Sequence, residues 1–264
     1  RIHGPAHDLH SGIFGGVLHN PAIALAELIA GMHDAEGRIT LPGFYDKVKP
    51  LTQEERSEMR RLPSDEKFYL ETTGAPALTG ETGYTPNELT GTRPTLDVNG
   101  LLSGFTGAGS KTVIPATAMA KISMRLVPDQ DPADVHKQLK QYLEEKAPKD
   151  IRWELIEMHG GKPSISDLNN PGVRAYAKAL ETVWGISPFF KREGGSVPVV
   201  ATMQDKLGIE SIIGGVGLPD DNYHAPNEKL HLPTWYKGIE ALIHFFMNLQ
   251  PPKGSCPQRN KKRG

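Results

Sequence analysis

Between Thr117 and Leu126 the apolar residues Ala118, Ala120, Ile122, Met124 and Leu126 take every even position, while Lys121, Ser123 and Arg125 take odd ones. A period of two is the mark of a β-strand buried on one face only. Such a strand must lie in a sheet roofed on its apolar side by amphipathic helices. Two suitable helices flank it. Asn20-Pro21 reads as an N-cap with proline in the first turn, and Leu25, Leu28, Ile29 and Met32 then recur at helical spacing to about Asp34. Asp131-Pro132 opens the other, with Val135, Leu139, Tyr142 and Leu143 as its stripe. Leu96 and Val98 alternate with polar neighbours ahead of a glycine-rich turn, and 151–158 supplies a further strand with Trp153 and Leu155 aligned. With an extended first segment the order is βαββαβ, a split sandwich with both helices on one sheet face.

Residues 38–94 break this order with proline, glycine, threonine and charge clusters, and read as a long excursion holding one short polar helix near 53–61. The composition changes again around Gly160-Gly161-Lys162-Pro163, which places a domain boundary there. Beyond it, Asn170-Pro171 starts a helix with Val173, Tyr176, Ala177, Leu180 and Val183 inward, a second runs from Ser196 to about Leu207, and Pro233 opens a last one. Short extended runs near 188–191 and 211–213 alternate with them, which predicts a parallel sheet. The expected division is 1–163 for the first domain, 164–250 for part of an α/β second domain, and 251–264 for a solvated basic tail.

Thirty Lys and Arg against 31 Asp and Glu leave a net charge of −1, so no overall field gathers nucleic acid or an anionic membrane. One cysteine, Cys256, cannot close an internal disulfide, and a cytoplasmic setting is the default. The opening Arg1-Ile2-His3-Gly4 carries no start signal and reads as the interior of a longer protein.

Several segments carry chemistry. His7-Asp8-Leu9-His10-Ser11-Gly12 sets two imidazoles and a carboxylate in a loop, suited to metal binding or to hydrogen bonding in a transition state. Arg125, on the polar face of its strand, is either a surface charge or a two-pronged grip for a carboxylate. Gly195-Ser196 precedes a helix, either as a plain cap or as a cradle for an anion. Asp220-Asp221-Asn222-Tyr223-His224 is either an acid-rich loop or a place where His224 coordinates a metal. The run Gly107-Ala108-Gly109-Ser110-Lys111-Thr112 misses phosphate-loop spacing by one residue and leads into a strand rather than a helix. No His-Glu-x-x-His helix, nucleophile elbow or attacking cysteine is present.

Five motifs taken in order, Asp8-Leu9-His10-Ser11-Gly12, Lys111-Thr112-Val113-Ile114-Pro115, Ser123-Met124-Arg125-Leu126-Val127-Pro128, Glu193-Gly194-Gly195-Ser196-Val197-Pro198 and His224-Ala225-Pro226-Asn227-Glu228-Lys229, resemble zinc-dependent dipeptidases of the carnosinase type. These sit in a clan with succinyl-diaminopimelate desuccinylase, acetylornithine deacetylase and glutamate carboxypeptidase. The resemblance implies a lid domain, the βαββαβ unit, that pairs with a second copy to make a homodimer. It implies that His10 and Thr112 reach the partner's active site, where His10 donates to the oxyanion. It further implies that Arg125, Gly195 and Ser196 bind the substrate's carboxylate end, and that His224 is one ligand of a two-zinc centre. The other ligands in that family precede the lid and have no counterpart here. The chain is therefore expected to be the C-terminal piece of a small-peptide hydrolase, inactive alone. A non-catalytic dimerisation module and an amidohydrolase of N-acyl amino acids are the alternatives.

Overall fold

The computed structural model describes residues 1–194 and 197–249. Its elements in chain order are β1 (Ile2–His3), β2 (Leu9–His10), α1 (Ser11–Phe14), α2 (Pro21–Ala30), α3 (Gln53–Arg60), α4 (Glu66–Thr73), α5 (Pro86–Thr92), β3 (Thr95–Ser103), β4 (Val113–Ile114), β5 (Thr117–Arg125), α6 (Pro132–Lys146), β6 (Arg152–Trp153), α7 (Pro171–Trp184), α8 (Pro198–Leu207) and α9 (Leu232–Asn248). The chain divides into two compact units, one of residues 1–164 with 190–206, the other of 165–189 with the residues from 207 onward.

The first unit is the expected mixed α/β sandwich. Its antiparallel sheet has the order β3-β5-β1-β6, and β1-α2-β3-β5-α6-β6 is the βαββαβ sequence. The even positions of β5 face the core: Ala118 is buried, and Ala120, Ile122 and Met124, with Leu126 just beyond the strand, pack against the cluster it belongs to. Ala24, Leu25 and Leu28 from α2 and Val135, Leu139, Tyr142 and Leu143 from α6 close the same core. The caps behave as their residue types require, with the Asn20 carboxamide accepting from the Ala22 N–H at 2.9 Å and the Asp131 carboxylate from the Ala133 N–H at 2.9 Å. The final strand is shorter than the alternation over 151–158 predicts: only Arg152 and Trp153 pair, against His3 and Ile2, because β1 offers just two residues to pair with.

The excursion is more ordered than its composition suggests. Ile39, Leu41 and Phe44 enter the main core, and α3 forms where the polar helix is expected, fixed by a capping box between Thr52 and Glu55. Two helices there are not anticipated, α4 behind Asp65 and α5 behind a second capping box of Thr85 and Glu88. Glu81 ties the excursion down, accepting from Arg93 Nε and Nη2 at 2.8 Å each and from Arg38 Nη1 at 2.9 Å. The rings of Tyr45 and Tyr84 flank the Arg93 guanidinium at 5.0 and 4.6 Å.

In the second unit α7 packs on α9, with Val173, Ala175, Ala179 and Ala241 buried. The predicted parallel sheet is absent: no residue from 164 onward among those described is in a strand. The runs at 188–191 and 211–213 are too short and too few to satisfy one another's backbone groups, and a strand exists only where a neighbour completes its ladder. The burial on α7 is also turned toward its alanines, with Tyr176, Ala177 and Leu180 only half-buried. Residues 251–264 lie outside the described residues, as do Gly195 and Ser196.

Candidate active site

β2 and β4 are two residues each, yet their pairing sets the position of two candidate residues. Leu9 faces Ile114 and His10 faces Val113 in antiparallel register, and the Ser11 N–H donates to the Thr112 carbonyl at 2.9 Å. The ribbon is anchored by buried Ile114 and by Asp8, whose Oδ1 accepts the Ala116 N–H at 2.8 Å. His10 and Thr112 are left exposed, with His10 Nε2 3.2 Å from Thr112 Oγ1. The other ring nitrogen, Nδ1, accepts from the Gly12 N–H at 3.0 Å, which makes His10 the N-cap of α1.

Arg125 ends β5 opposite Thr95 and is exposed. Its stem runs beside Gly194, where an added Cβ would lie 3.5 Å from Arg125 Cβ. Gly194 is held in turn by its N–H on the Thr90 carbonyl at 2.8 Å, and Arg192 pairs with Glu55 of α3. Gly91 permits this approach, since any side chain there would run into the Arg192 carbonyl. The excursion thus carries the segment leading to Gly195 and Ser196, although those two are outside the described residues.

Thr117 and Arg125 are the two ends of the nine-residue β5. Eight steps of roughly 3.3 Å put them about 26 Å apart. The ribbon bearing His10 and Thr112 joins the sheet at the Thr117 end, where His3 pairs with Thr117 and the Gly4 N–H reaches the Ala116 carbonyl. The structure therefore brings His10 to Thr112 and does not bring that pair to Arg125 within one copy.

In the second unit His224 is exposed, in the left-handed region at φ 58° between Asn222 at 56° and Asn227 at 62°. The acids before it build the loop. Asp221 is 1% exposed, its Oδ2 accepts the Leu218 N–H at 2.7 Å, its carbonyl accepts the Lys229 N–H at 3.0 Å, and its Oδ1 is buried with no hydrogen-bond partner among the described residues. Lys229 also bonds the Asp220 carboxylate, and this contact holds the Asp220 carboxyl below its ordinary range. Among the described residues no group of three or more His, Cys, Asp or Glu is arranged to hold a metal ion. They do not by themselves fit a metal centre. Sequence reasoning passes over Gly91 and the Glu55–Arg192 pair, because each acts through a distance that sequence spacing does not reveal, and it quotes Gly12 only as part of a motif.

Residues 1–151, which run from β1 through α6, match the family model of the peptidase dimerisation domain. The chain belongs to that family. This dimerisation-family chain is 35% identical to the Cys-Gly metallodipeptidase DUG1 of Candida albicans over 258 residues, 93% of its own length and 52% of that protein's. It is 30% identical to the Beta-Ala-His dipeptidase of Homo sapiens over 245 residues, 92% of its own length and 48% of that protein's. The crystal structure of an M20 family metallo-carboxypeptidase, Sso-CP2 from Sulfolobus solfataricus, superposes with a TM-score of 0.79 at 32% identity, covering 92% of this chain and 56% of that one. The chain spans about half the length of the curated relatives it matches. The resemblance carried by the five motifs thus holds, since the relatives are metallodipeptidases. No helix among the described residues is long and apolar enough to cross a membrane.

Proposed function

We propose that this chain supplies the lid, residues 1–163, and the C-terminal part of the catalytic domain, residues 164–250, of a cytoplasmic zinc-dependent dipeptidase that works as a homodimer on small peptides. The observation that carries the reading is the separation along β5. A dipeptide spans about 7 Å, whereas Arg125 lies roughly 26 Å along β5 from Thr117, the end at which the His10 ribbon joins the sheet, so one copy does not apply both residues to the same substrate. Two copies can, if the His10–Thr112 ribbon of each reaches the site of the other. Edge strand β3 suits such a pairing, since it leaves Leu101 and Leu102 exposed beside its unpaired backbone.

In this reading His10 donates from Nε2 to the carbonyl oxygen as it gains negative charge in the tetrahedral intermediate, and Thr112 holds the ring in place. Removal of one such donor costs about 10² to 10³ in kcat. Arg125, with Gly195 and Ser196, grips the free carboxylate, a contact made equally before and during reaction, so its loss raises KM. His224 is assigned as one metal ligand. Since the described residues do not form a metal site, activation of water and the proton transfers fall to groups other than these.

Mixing two defective full-length enzymes tests the arrangement. His10→Ala and Arg125→Ala versions of the protein carrying this chain are each expected to be impaired on dipeptides with zinc supplied. Re-association of equal amounts should yield mixed dimers in which one site has both residues intact, with activity recovering several-fold. An absence of recovery with mixed dimers demonstrably formed refutes action across the two copies.

A further inference from the structure

At Gly12 a side chain and the present position of the His10 ring exclude each other. Its backbone N–H donates to Nδ1 of His10 at 3.0 Å, and a Cβ at this position would lie 2.8 Å from Cε1 and 3.1 Å from Nδ1 of the same imidazole. Two carbons at van der Waals contact sit about 3.5–4.0 Å apart, so any side chain here pushes the ring off the amide. The backbone around the position is otherwise ordinary. The demand for glycine comes from the imidazole alone.

That contact has a chemical consequence for the ring. A peptide N–H can only donate, so the nitrogen that receives it carries no hydrogen. In a neutral imidazole the one proton must then sit on Nε2, the nitrogen 3.2 Å from Thr112 Oγ1. A hydroxyl oxygen can accept that proton's hydrogen bond and still donate its own hydrogen elsewhere. The ring is therefore gripped at both nitrogens, by the amide on one side and the hydroxyl on the other. Asp8 and buried Ile114 fix the ribbon that carries these groups.

We infer that Gly12 is a positioning residue for His10: its N–H fills Nδ1 and its missing side chain leaves room for the ring, so the neutral imidazole keeps its proton on Nε2, the exposed end of the ring beside Thr112 Oγ1. This rests on the proposed role of His10 as a donor to the substrate oxygen. A histidine without such a contact divides its proton between two nitrogens and its ring among several orientations. Only the tautomer with its hydrogen on Nε2 can serve a developing oxyanion, which takes over from Thr112 Oγ1 the hydrogen bond that nitrogen donates, with the ring already held in place. The residue does this without touching substrate, and it gives the glycine of the Asp8-Leu9-His10-Ser11-Gly12 motif a physical function.

The test is spectroscopic and uses the 264-residue chain labelled with ¹⁵N. At a pH where the histidines are neutral, a ¹⁵N–¹⁵N coupling across the hydrogen bond should link the Gly12 amide to His10 Nδ1. Long-range ¹H–¹⁵N correlation should show Nδ1 bare and Nε2 protonated. Gly12→Ala should abolish the coupling and mix the two tautomers, while Ser11→Ala leaves both signatures unchanged. The Ala116 amide, bonded to Asp8, reports whether the ribbon survives. Absence of the coupling in the wild-type chain, or its persistence in Gly12→Ala, overturns the inference, and the wild-type measurement decides it even if the variant unfolds. Absent coupling together with recovered activity in mixed dimers removes only the role of Gly12; the coupling without such recovery removes only the action of His10 across the two copies.

Discussion

Removing the Glu81 carboxylate should strongly destabilise the first unit while leaving the proposed active-site residues alone. Glu81 and Arg93 have side chains 6% exposed each and meet in a two-pronged contact at 2.8 Å, with Arg38 adding a bond at 2.9 Å from a half-exposed position. In Glu81→Ala the guanidinium of Arg93 stays buried without its counter-charge, and breaking one side of a buried pair costs about 3–5 kcal/mol. The faces of Tyr45 and Tyr84 remain against Arg93, which places the expected loss at the lower end, about 3 kcal/mol. With a urea slope of about 2 kcal/mol per molar, the unfolding midpoint of the lid should fall by about 1.5 M. Core fluorescence from Trp153 and a far-ultraviolet signal can follow it in parallel. Replacing both partners, Glu81→Leu with Arg93→Met, should return most of the loss, because no charge is then stranded in the interior. A midpoint change under about 0.3 M for Glu81→Ala, or a double variant no better than the single one, would falsify the reasoning.

Two further outcomes follow from charge and exposure. Hydrogen bonds from Lys47 and Lys137 hold the Asp134 carboxyl below the ordinary aspartate value of 3.8. A depressed carboxyl contributes stability that is present above its unfolded value and lost as pH falls through the folded one, so the effect should disappear at strongly acid pH and in high salt. Lys47→Met should move the Asp134 titration back toward 3.8 in a ¹³C-carboxyl NMR series, and an unchanged titration would discard the pairing. In the second unit, Ile243, Phe246 and Met247 of α9 are 56%, 67% and 75% exposed. The purified chain should therefore bind a hydrophobic dye and self-associate with concentration, and changing these three residues to Gln, Lys and Gln should suppress both. A monomeric wild-type chain that binds no dye would contradict this.

The amino-acid order by itself determined whatever depends on groups within about four residues of one another. Period two over Ala118 to Leu126 produced β5, and the pairs Asn20-Pro21, Asp131-Pro132 and Asn170-Pro171 started α2, α6 and α7 at those positions. The capping box at Thr85-Pro86-Asn87-Glu88 is equally local, and the sequence reading missed α5 because the surrounding composition reads as loop. Extended structure without partners obeys a different rule. The runs at 188–191 and 211–213 have strand-like composition but are not strands, since a ladder requires a neighbour that a local pattern cannot supply. The same limit applies to the candidate site. His10 and Thr112 were picked out as candidates by their motifs, as a resemblance, but their meeting at 3.2 Å depends on β2 and β4 pairing although the two residues lie 102 positions apart. Tertiary structure alone also decided that Glu81 lies between two arginines and that β5 holds Arg125 away from the ribbon. Each is a matter of distance through space, and the chain encodes such distances only once its core has closed.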